Sequence, residues 1–230
     1  MKQDIYKIEN SIEKVLNGKN TFFLYQNELK RVIQKLKKDN YKIYYPYKDS
    51  EKVILYFDTI PRVCLFKINS YEKIRHQDIL GSILGLNISP NYLGDIIVDK
   101  ENYYFYIFDG LKEYIKNNLT TIGRSSVILE EIDIDYLKDY ERKYEEKNII
   151  VSSLRIDNVL SKIIGTNRED ILKKIKDKEV ILNYDILVKP SYIIKENDIF
   201  SVRKFGKFKF ISVVNYTKRN NYVILFLKYV

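Results

Sequence analysis

The chain has 230 residues, of which 45% are hydrophobic, and its 40 basic and 31 acidic side chains give a formal net charge of +9. This hydrophobic content excludes a generally disordered chain, and the absence of any run of 18 apolar residues predicts no membrane-spanning helix. A net positive charge favours a polyanionic partner, although an AT-rich genome also enriches a protein in Lys, Asn, Ile and Tyr.

The position of the charge is more informative than its total. Residues 1–70 carry 14 basic and 8 acidic side chains, residues 71–150 carry 10 and 15, and residues 151–230 carry 16 and 8. The three net charges are therefore +6, −5 and +8. This asymmetry favours a polyanion contact in the last third of the chain.

The cysteine and histidine counts limit both the compartment and the chemistry. The first residues, MKQDIYKIEN, lack an apolar segment followed by small residues, so no signal peptide is expected. Cys64 is the single cysteine and cannot form an internal disulfide, which favours the cytoplasm. With one cysteine and one histidine, His76, neither a zinc site nor a Cys–His nucleophile pair is expected.

Residues 1–60 predict a small α/β N-terminal unit. Apolar residues follow helical spacing twice within residues 1–37, starting at Ile5 and at Leu29. Two strands are predicted to follow, at 41–47 and 53–57. Five basic residues of this unit form either a phosphate-facing surface or an ordinary solvated helix face: Lys30, Arg31, Lys35, Lys37 and Lys38.

Residues 61–135 predict a ferredoxin-like (RRM-like) middle domain with the order β-α-β-β-α-β. The predicted strands are 62–68, 94–99, 102–108 and 125–132, and the predicted helices are 76–86 and 110–118. Four aromatic residues either stack RNA bases or pack in the core: Tyr103, Tyr104, Tyr106 and Phe108. The acidic segment and the missing basic, glycine-rich strand signature favour the core.

Residues 136–150 are charged and lack an apolar stripe, which predicts a solvent-exposed linker, helical or not. Residues 151–230 predict a domain with a helix pair and a small sheet. The first helix has one apolar stripe and ends at Gly165. The members of this stripe are Ile156, Val159, Leu160, Ile163 and Ile164.

The second helix of this pair begins at Asn167, a good cap residue, with Asp170 in the position of a capping-box partner. Its predicted buried residues are Ile171, Leu172 and Ile175. A tight hairpin is predicted around Tyr184 and Asp185, and a turn at Gly206 joins two later strands.

Residues 152–210 resemble the RNA-binding domain first described in small-subunit ribosomal protein four, the S-four domain. The pattern of that domain has Arg-x-Asp at the first helix, Ser-Arg at the second, an Asn after the first strand, a Gly-Asp pair and a basic-Gly-basic turn. The matching residues here are Arg155, Asp157, Asn167, Arg168, Asn183, Asn197, Asp198 and Arg203 through Lys207. The departures are Asn167 for serine, and Lys178, Tyr184 and Asn197 for glycine.

The segments HQDILGSILGLNISPNYLGDIIV and YIKNNLTTIGRSSVILEEI are similar to the middle domain of the YlmH-like family of bacterial ribosome-associated proteins. This resemblance implies binding to ribosomal RNA of the large subunit, and to tRNA or peptidyl-tRNA, in the quality control of obstructed ribosomes. Older descriptions of the family mention cell division.

The candidate RNA-binding residues lie on the helix pair, in the later turn and strand, and at the start of a middle-domain helix. They are Arg155, Lys162, Asn167, Arg168, Lys173, Lys174, Lys176, Arg203, Lys204, Lys207, Lys209 and His76. Such a platform reads phosphates and shape, because A-form RNA hides its bases in a deep groove.

Arg155 and Arg168 flank the buried stripes without belonging to them. We therefore expect their replacement by alanine to weaken binding and to leave the fold intact. The alternative for each arginine is a structural ion pair with Asp157 or a neighbouring acid.

Taken together, the sequence predicts an α+β, non-enzymatic, monomeric, cytoplasmic protein that binds RNA and needs no metal, cofactor or membrane. One alternative is an accessory protein whose basic domain binds the acidic surface of a protein partner. Another is an RNA-modifying enzyme, since Arg155-Ile156-Asp157 resembles the Arg-Leu-Asp of pseudouridine synthases. Those enzymes carry a large catalytic domain after the S-four domain, whereas about twenty residues follow it here.

Overall fold

The structure is a computed structural model that describes residues 2–36 and 40–229, with side chains from Tyr6 onward. The chain divides into two compact units, Met1–Glu141 and Arg142–Val230, called here the first and the second unit. Three residues of the predicted patterns lie outside the described side chains: Ile5, Lys37 and Lys38. In the part of the chain that is described, no helix is long and apolar enough to span a membrane.

The N-terminal part of the first unit forms the predicted small α/β structure. Its elements are α1 (Lys2–Leu16), β1 (Leu24–Tyr25), α2 (Gln26–Lys35), β2 (Lys42–Tyr44) and β3 (Lys52–Tyr56). The strands form an antiparallel sheet in the order β1-β3-β2. Residues at helical spacing are buried against this sheet, including Val15 of α1, Val32 of α2 and Leu55 of β3.

The middle part of the first unit is ferredoxin-like, as predicted. Its elements are β4 (Val63–Ser70), α3 (His76–Gly85), β5 (Leu93–Asp99), β6 (Asn102–Phe108), α4 (Lys112–Asn118), β7 (Thr121–Ile122) and β8 (Ser125–Ile132). The sheet is antiparallel in the order β5-β6-β4-β8-β7. Each βαβ unit therefore has a strand of the other between its own two strands, which is the split arrangement of a ferredoxin-like domain.

Both faces of this sheet carry a hydrophobic core within the first unit. One face packs Phe66 and Phe105 against residues of α3 and α4. The other face packs Tyr106 against Phe23 and Tyr47 of the N-terminal part. Side chains alternate between the two faces along each strand. Most positions of β5 and β6 therefore meet one of the two cores, whereas Ser126, Ile128 and Glu130 of β8 are exposed.

The hypothesis that sheet aromatics of the middle domain stack RNA bases is therefore wrong. Tyr103, Tyr104 and Tyr106 are buried, and Phe108 packs against the same cluster as Tyr104 and Tyr106. A base cannot reach the buried rings of Tyr103, Tyr104 and Tyr106, whereas Phe108 is half-buried. The second alternative, a sheet packed in the core, is the one that the structure shows.

A buried polar contact joins the N-terminal part to strand β5. Lys52 Nζ donates to the carbonyls of Leu93 and Gly94, at 2.7 and 3.3 Å, where β5 shifts its register. Burial lowers the pKa of Lys52 to about 8. The Tyr47 hydroxyl donates to the buried Asp95 carboxylate at 2.7 Å. These bonds satisfy backbone and carboxylate groups that would otherwise be desolvated without a partner.

The second unit is a helix pair on a six-stranded antiparallel sheet. Its elements are β9 (Tyr144–Val151), α5 (Ile156–Ile164), α6 (Arg168–Lys176), β10 (Val180–Leu182), β11 (Asp185–Ile186), β12 (Ile199–Val202), β13 (Gly206–Tyr216) and β14 (Tyr222–Tyr229). The order of the sheet is β11-β10-β12-β13-β14-β9.

The structure differs from the linker prediction for residues 136–150. Residues 144–151 form strand β9, which pairs with β14 along its whole length at one edge of the sheet. Ile149 and Val151 face the core, whereas Glu145 and Lys147 are exposed. Charges on an edge strand prevent pairing with another chain, and they also conceal the strand pattern in the sequence.

Two turns show how backbone conformation sets the register of the second unit. Gly165 has φ 75°, and it ends α5 as predicted. Asn183 and Tyr184 have φ 48° and 68°, and Leu182 pairs with Asp185, so the hairpin turn lies one residue earlier than predicted. Two consecutive positive φ angles are the signature of a type I′ turn, which asparagine at its first position favours.

The close approach at Gly94 gives a test of the contact between the two parts of the first unit. A Cβ at this position would lie 2.8 Å from Tyr106 Cβ and 2.9 Å from Phe23 Cε1. We expect Gly94→Ala to destabilise the protein by about 1–3 kcal/mol, because both neighbours are buried. Urea denaturation measures this change.

Gly81→Ala is the matched control. Gly81 lies in α3, and a Cβ there would meet nothing within 4 Å. Since alanine is a better helix former than glycine, this variant should be more stable by about 0.4–1 kcal/mol. A Gly94→Ala protein as stable as the Gly81→Ala protein would contradict the packing described here.

Candidate nucleic-acid interface

The two helices of the second unit bury one face and expose a basic face. Ile156 and Leu160 of α5 share a core cluster with Ile171 and Ile175 of α6. Leu172, predicted to be buried, is 40% exposed. It lies about 100° around the helix from Ile171, and this rotation takes it away from the buried stripe.

A buried carboxylate connects the starts of the two helices. Asp157 lies in the first turn of α5 and is fully buried. Arg155 donates to it through Nε and Nη2, at 3.2 and 2.8 Å, and Arg168 donates through Nη2 and Nε, at 2.7 and 3.0 Å. The Asn158 backbone N–H adds a bond of 2.8 Å. One carboxylate thus accepts five hydrogen bonds.

These bonds keep the Asp157 carboxylate ionised. Burial raises its pKa, but the hydrogen bonds from Arg155 and Arg168 outweigh burial, so the pKa of Asp157 is lowered. The hydrogen bond to Asp157 in turn raises the pKa of Arg155. With two guanidinium groups and one carboxylate, the cluster keeps a net charge of +1.

The two guanidinium groups remain accessible to a ligand. The side chain of Arg155 is 38% exposed and that of Arg168 is 51% exposed, whereas that of Asp157 is 1% exposed. Each guanidinium uses two of its five N–H groups on Asp157, and no other described residue accepts from the remaining three. A planar donor held on one edge by a carboxylate can offer its other N–H groups to a phosphate.

The structure changes the expectation that Arg155 and Arg168 can be replaced without effect on the fold. Both hold a buried charge, as the ion-pair alternative proposed, and both also expose N–H donors. Truncation of either arginine removes hydrogen bonds from a desolvated carboxylate. The two roles of these residues must therefore be separated by experiment.

Asn167 has a structural role at the start of α6. Its side-chain oxygen accepts from the Asp170 backbone N–H at 2.8 Å. Asp170 does not complete the predicted capping box, because its carboxylate accepts the Thr166 hydroxyl at 2.6 Å. The exposed helix start still presents the positive end of the helix dipole beside Arg168.

A second basic cluster forms at the other end of α6. Lys174 Nζ lies 3.1 Å from a Glu179 carboxylate oxygen, and Arg203 Nη1 lies 3.8 Å from the other oxygen. The Arg203 backbone N–H donates to the Glu179 carbonyl at 3.0 Å. The turn predicted around Gly206 is thereby held against the end of the helix, and Lys204 at its tip is exposed.

Lys207 and Lys209 lie on strand β13, next to this turn. Lys207 Nζ lies 4.8 Å from the ring centroids of both Tyr184 and Tyr229, so its charge is held between two aromatic faces. Lys209 is half-buried. These two residues are more constrained than a solvated lysine.

The remaining predicted residues are on different surfaces. Lys162, Lys173 and Lys176 are exposed on the helices of the second unit. His76 is exposed at the first residue of α3 in the first unit. The structure thus brings eleven of the predicted residues into one unit and leaves His76 in the other.

Sequence reasoning missed a basic hairpin tip. Lys218 and Arg219 are exposed between β13 and β14. Tyr222, which follows this tip, pairs with Val151, four residues before Arg155. The register therefore places the tip on the same side of the unit as the start of α5. A Lys-Arg pair in a predicted strand connection was the available signal.

Two further observations concern the chemistry of the described residues. They contain no group of three or more His, Cys, Asp or Glu side chains placed to hold a metal ion. Burial and a hydrogen bond to Asp109 raise the pKa of the Cys64 thiol to about 12, so it is protonated at neutral pH. The predicted site of the second unit therefore consists of cations: some, such as Arg155 and Arg168, are held by other side chains, and others, such as Lys173, are exposed.

The geometry defines a class of protein: an α+β chain with a ferredoxin-like domain and a basic helix pair whose cations suit a polyanion. Comparison with known proteins then identifies the family of the middle domain. Residues 62–136 match the model of the putative RNA-binding domain in YlmH. This match confirms the predicted resemblance of the middle domain to YlmH. The S-four resemblance of residues 152–210 stays a prediction.

Two individual proteins are similar to this chain. The ribosome-associated protein quality control protein P2 of Bacillus subtilis is 26% identical over 158 residues, which are 69% of this chain and 62% of that protein. The match thus spans less than two thirds of that relative. The solved structure of the cell division protein ylmH from Streptococcus pneumoniae is 24% identical, with a TM-score of 0.49, and covers 60% of this chain and 94% of that one.

Removal of the arginines tests the structural role of the Asp157 cluster. We expect Arg155→Ala with Arg168→Ala to destabilise the protein strongly, since an unpaired buried carboxylate such as that of Asp157 costs on the order of 3 kcal/mol. Adding Asp157→Ala to this double variant should recover part of the lost stability, because no buried charge remains. Thermal unfolding of the three proteins measures both effects. No recovery in the triple variant would contradict the ion-pair role.

The pH dependence of stability gives an independent test. The unfolded-state pKa of an aspartate is about 3.9, and the folded-state pKa of Asp157 is lower. Its contribution to stability is therefore fully present above about pH 5 and is lost as the pH falls through the folded-state pKa. Urea unfolding should show a difference between the parent and Asp157→Asn that shrinks on acidification below about pH 4. A difference that grows on acidification would contradict this assignment.

Proposed function

We propose that the second unit binds folded ribosomal RNA and that the protein associates through it with the large ribosomal subunit. The observation that carries this proposal is the Asp157 cluster. It holds Arg155 and Arg168 side by side and leaves donors on both guanidinium groups directed at solvent. Preorganised, exposed guanidinium groups are suited to phosphate oxygens, which dominate the contacts of shape-reading RNA-binding domains.

The length of the basic face supports a ligand with several phosphates. Arg168 and Lys176 are the first and last residues of α6, so they are about 12 Å apart at 1.5 Å per residue. The turn with Arg203 and Lys204 lies at the far end, and the tip with Lys218 and Arg219 lies near the first end. A surface of this length fits a nucleic-acid backbone better than a single anion.

The net charge of the protein lies in the second unit. Residues 142–230 carry 19 basic and 10 acidic side chains, whereas residues 1–141 carry 21 of each. The second unit is therefore the part that a long-range electrostatic field attracts to RNA. Codon usage does not explain this separation, since it would raise the lysine content of both units.

The comparisons support the ribosome as the partner. A relative is described as a ribosome-associated quality control protein, and the middle domain matches the model of a family described as RNA-binding. We propose that the chain takes part in the quality control of obstructed large subunits in the cytoplasm. It would contact tRNA or peptidyl-tRNA as well as ribosomal RNA and act by binding, as a monomer. His76, at the start of α3, is a proposed contact of the middle domain.

Exposed lysines test RNA binding without disturbing the Asp157 cluster. The test variant combines Lys173→Gln, Lys176→Gln and Lys204→Asn; asparagine suits the positive φ of 72° at residue 204. We expect weaker co-sedimentation with large ribosomal subunits. The slope of log affinity against log salt concentration should fall by about 2, at about 0.7 per phosphate contact. The melting temperature should match that of the parent.

The charge-matched control carries Lys30→Gln, Lys35→Gln and Lys42→Gln, all exposed in the first unit. It should retain the affinity of the parent. Loss of binding in the control alone would move the RNA contact to the predicted N-terminal basic face. Association that resists complete RNase treatment would instead support the acidic protein partner.

A further inference from the structure

We propose that a cleft in the first unit binds one phosphorylated nucleotide, with its phosphate at Lys14 and Lys19 and its base against Tyr92. The cleft lies between the N-terminal part and the ferredoxin-like domain, and its volume is about 680 Å³. Sites for small ligands typically have volumes of about 300–1,000 Å³. This site is distinct from the basic face of the second unit, so the proposal does not depend on the function proposed above.

Two cations in the cleft lack an acidic partner. Among the described residues that line it, Lys14 and Lys19 are the charged ones, and neither forms an ion pair with a described carboxylate. Burial, followed by the charge of Lys19, lowers the pKa of Lys14. Two ammonium groups that repel each other in a partly desolvated cleft are stabilised when an anion binds between them.

The position of Lys14 is fixed by an aromatic ring. Its Nζ lies 3.9 Å from the centroid of the Phe22 ring. This contact holds the ammonium group over the ring face without using a carboxylate. The charge is therefore positioned and still available to a phosphate.

Tyr92 supplies a rigid aromatic wall. Its ring meets Phe22 edge-on, with centroids 5.3 Å apart and an interplanar angle of 82°, and meets Phe108 at 5.9 Å and 85°. Tyr92 is nevertheless 37% exposed. An immobilised and partly exposed ring offers a stacking surface to a base at little cost in side-chain entropy.

The other walls leave room for a ligand. Gly18 and Gly110 both line the cleft, and a Cβ at either position would meet nothing within 4 Å. Gly110 does not have a positive φ, so a side chain there is free of backbone strain. Thr59 and Asn20 add polar groups at the rim. Cations, a ring and open polar walls together match a nucleotide better than an apolar ligand.

The test uses the full chain with Lys173→Gln, Lys176→Gln and Lys204→Asn, which are expected to weaken RNA binding by the second unit. The probes are uridine monophosphate, measured by titration calorimetry, and a hexamer of 4-thiouridine, photo-cross-linked and mapped by mass spectrometry. We expect binding of the hexamer, with the cross-link on the peptide that contains Tyr92. Binding of both probes identifies a site for a free nucleotide, and binding of the hexamer alone identifies a site for a nucleotide within a strand.

Three variants of the cleft should each weaken binding of the hexamer by about tenfold or more: Lys14→Gln, Tyr92→Ala and Gly110→Leu. Gly110→Leu fills the cleft but keeps the cations and the ring. It therefore tests whether the ligand occupies the cleft, whereas Lys14→Gln and Tyr92→Ala test individual contacts. The matched controls are Lys35→Gln and Tyr71→Ala, two exposed residues of the same unit outside the cleft.

The proposal is overturned if neither probe binds, if the cross-link maps to the second unit, or if the cleft variants bind as well as the controls. Circular dichroism melting of every variant identifies any that fail to fold. The position of the cross-link and the comparison of cleft variants with first-unit controls separate binding in the cleft from any RNA binding that remains at Arg155 and Arg168 of the second unit.

Discussion

Two guanidinium groups share one buried carboxylate in the second unit, and the arrangement of its helix pair depends on that contact. Arg168 and Asp157 are eleven residues apart, so the contact sets the start of α6 against the start of α5. The loop after β11 is tied to the same turn, because the Ile156 backbone N–H donates to the Tyr192 carbonyl at 2.8 Å. A buried charge is costly unless it is fully bonded, and this requirement fixes the positions of both arginines.

The cations on the exposed surface of the second unit are of two kinds: those held by a carboxylate or an aromatic ring, and exposed lysines. Arg155, Arg168, Lys174 and Lys207 are held by a carboxylate or by aromatic rings, so they lose little side-chain entropy when they meet a phosphate. Under the proposed function, exposed lysines such as Lys173 would be ordered only on binding and would contribute mainly through the salt-sensitive electrostatic field. Held cations can fix the orientation of an RNA, and mobile cations tolerate variation in its sequence.

The sequence was sufficient where structure is local and insufficient where it depends on pairing at a distance. Helical periodicity located α5 and α6, and Gly165 and Asn167 marked their junction. The ferredoxin-like order followed from alternating apolar runs. Strand β9 was missed because its charged residues conceal its pattern, and its pairing with β14 joins residues about 75 positions apart. The core was favoured for Tyr104 and Tyr106, but base stacking stayed an alternative, because their burial depends on packing by residues of the N-terminal part.

The residues of the candidate site were also predictable from the sequence only where their role does not depend on distant contacts. Charge and the S-four resemblance selected Arg155 and Arg168, but their shared bond to Asp157 depends on the angle between two helices. Helix spacing alone placed both arginines outside the stripe and made them seem dispensable. The tip with Lys218 and Arg219 was missed because the register of β13 and β14 brings it beside the start of α5.

The packing of the middle-domain sheet limits where the first unit could contact a nucleotide. Tyr103, Tyr104 and Tyr106 are buried in the two cores of the sheet, so base stacking on these three rings is excluded. The first unit has as many acidic as basic side chains, so long-range attraction does not favour RNA there either. A nucleotide contact of this unit would therefore depend on a few neighbouring side chains and not on the net charge of the unit. Tyr92, immediately before β5, is a partly exposed ring in a cleft with Lys14 and Lys19, which form no ion pair with a described carboxylate. It lies at the edge of the sheet that the N-terminal part covers. The packing that closes the sheet face therefore also builds the wall of the cleft next to it.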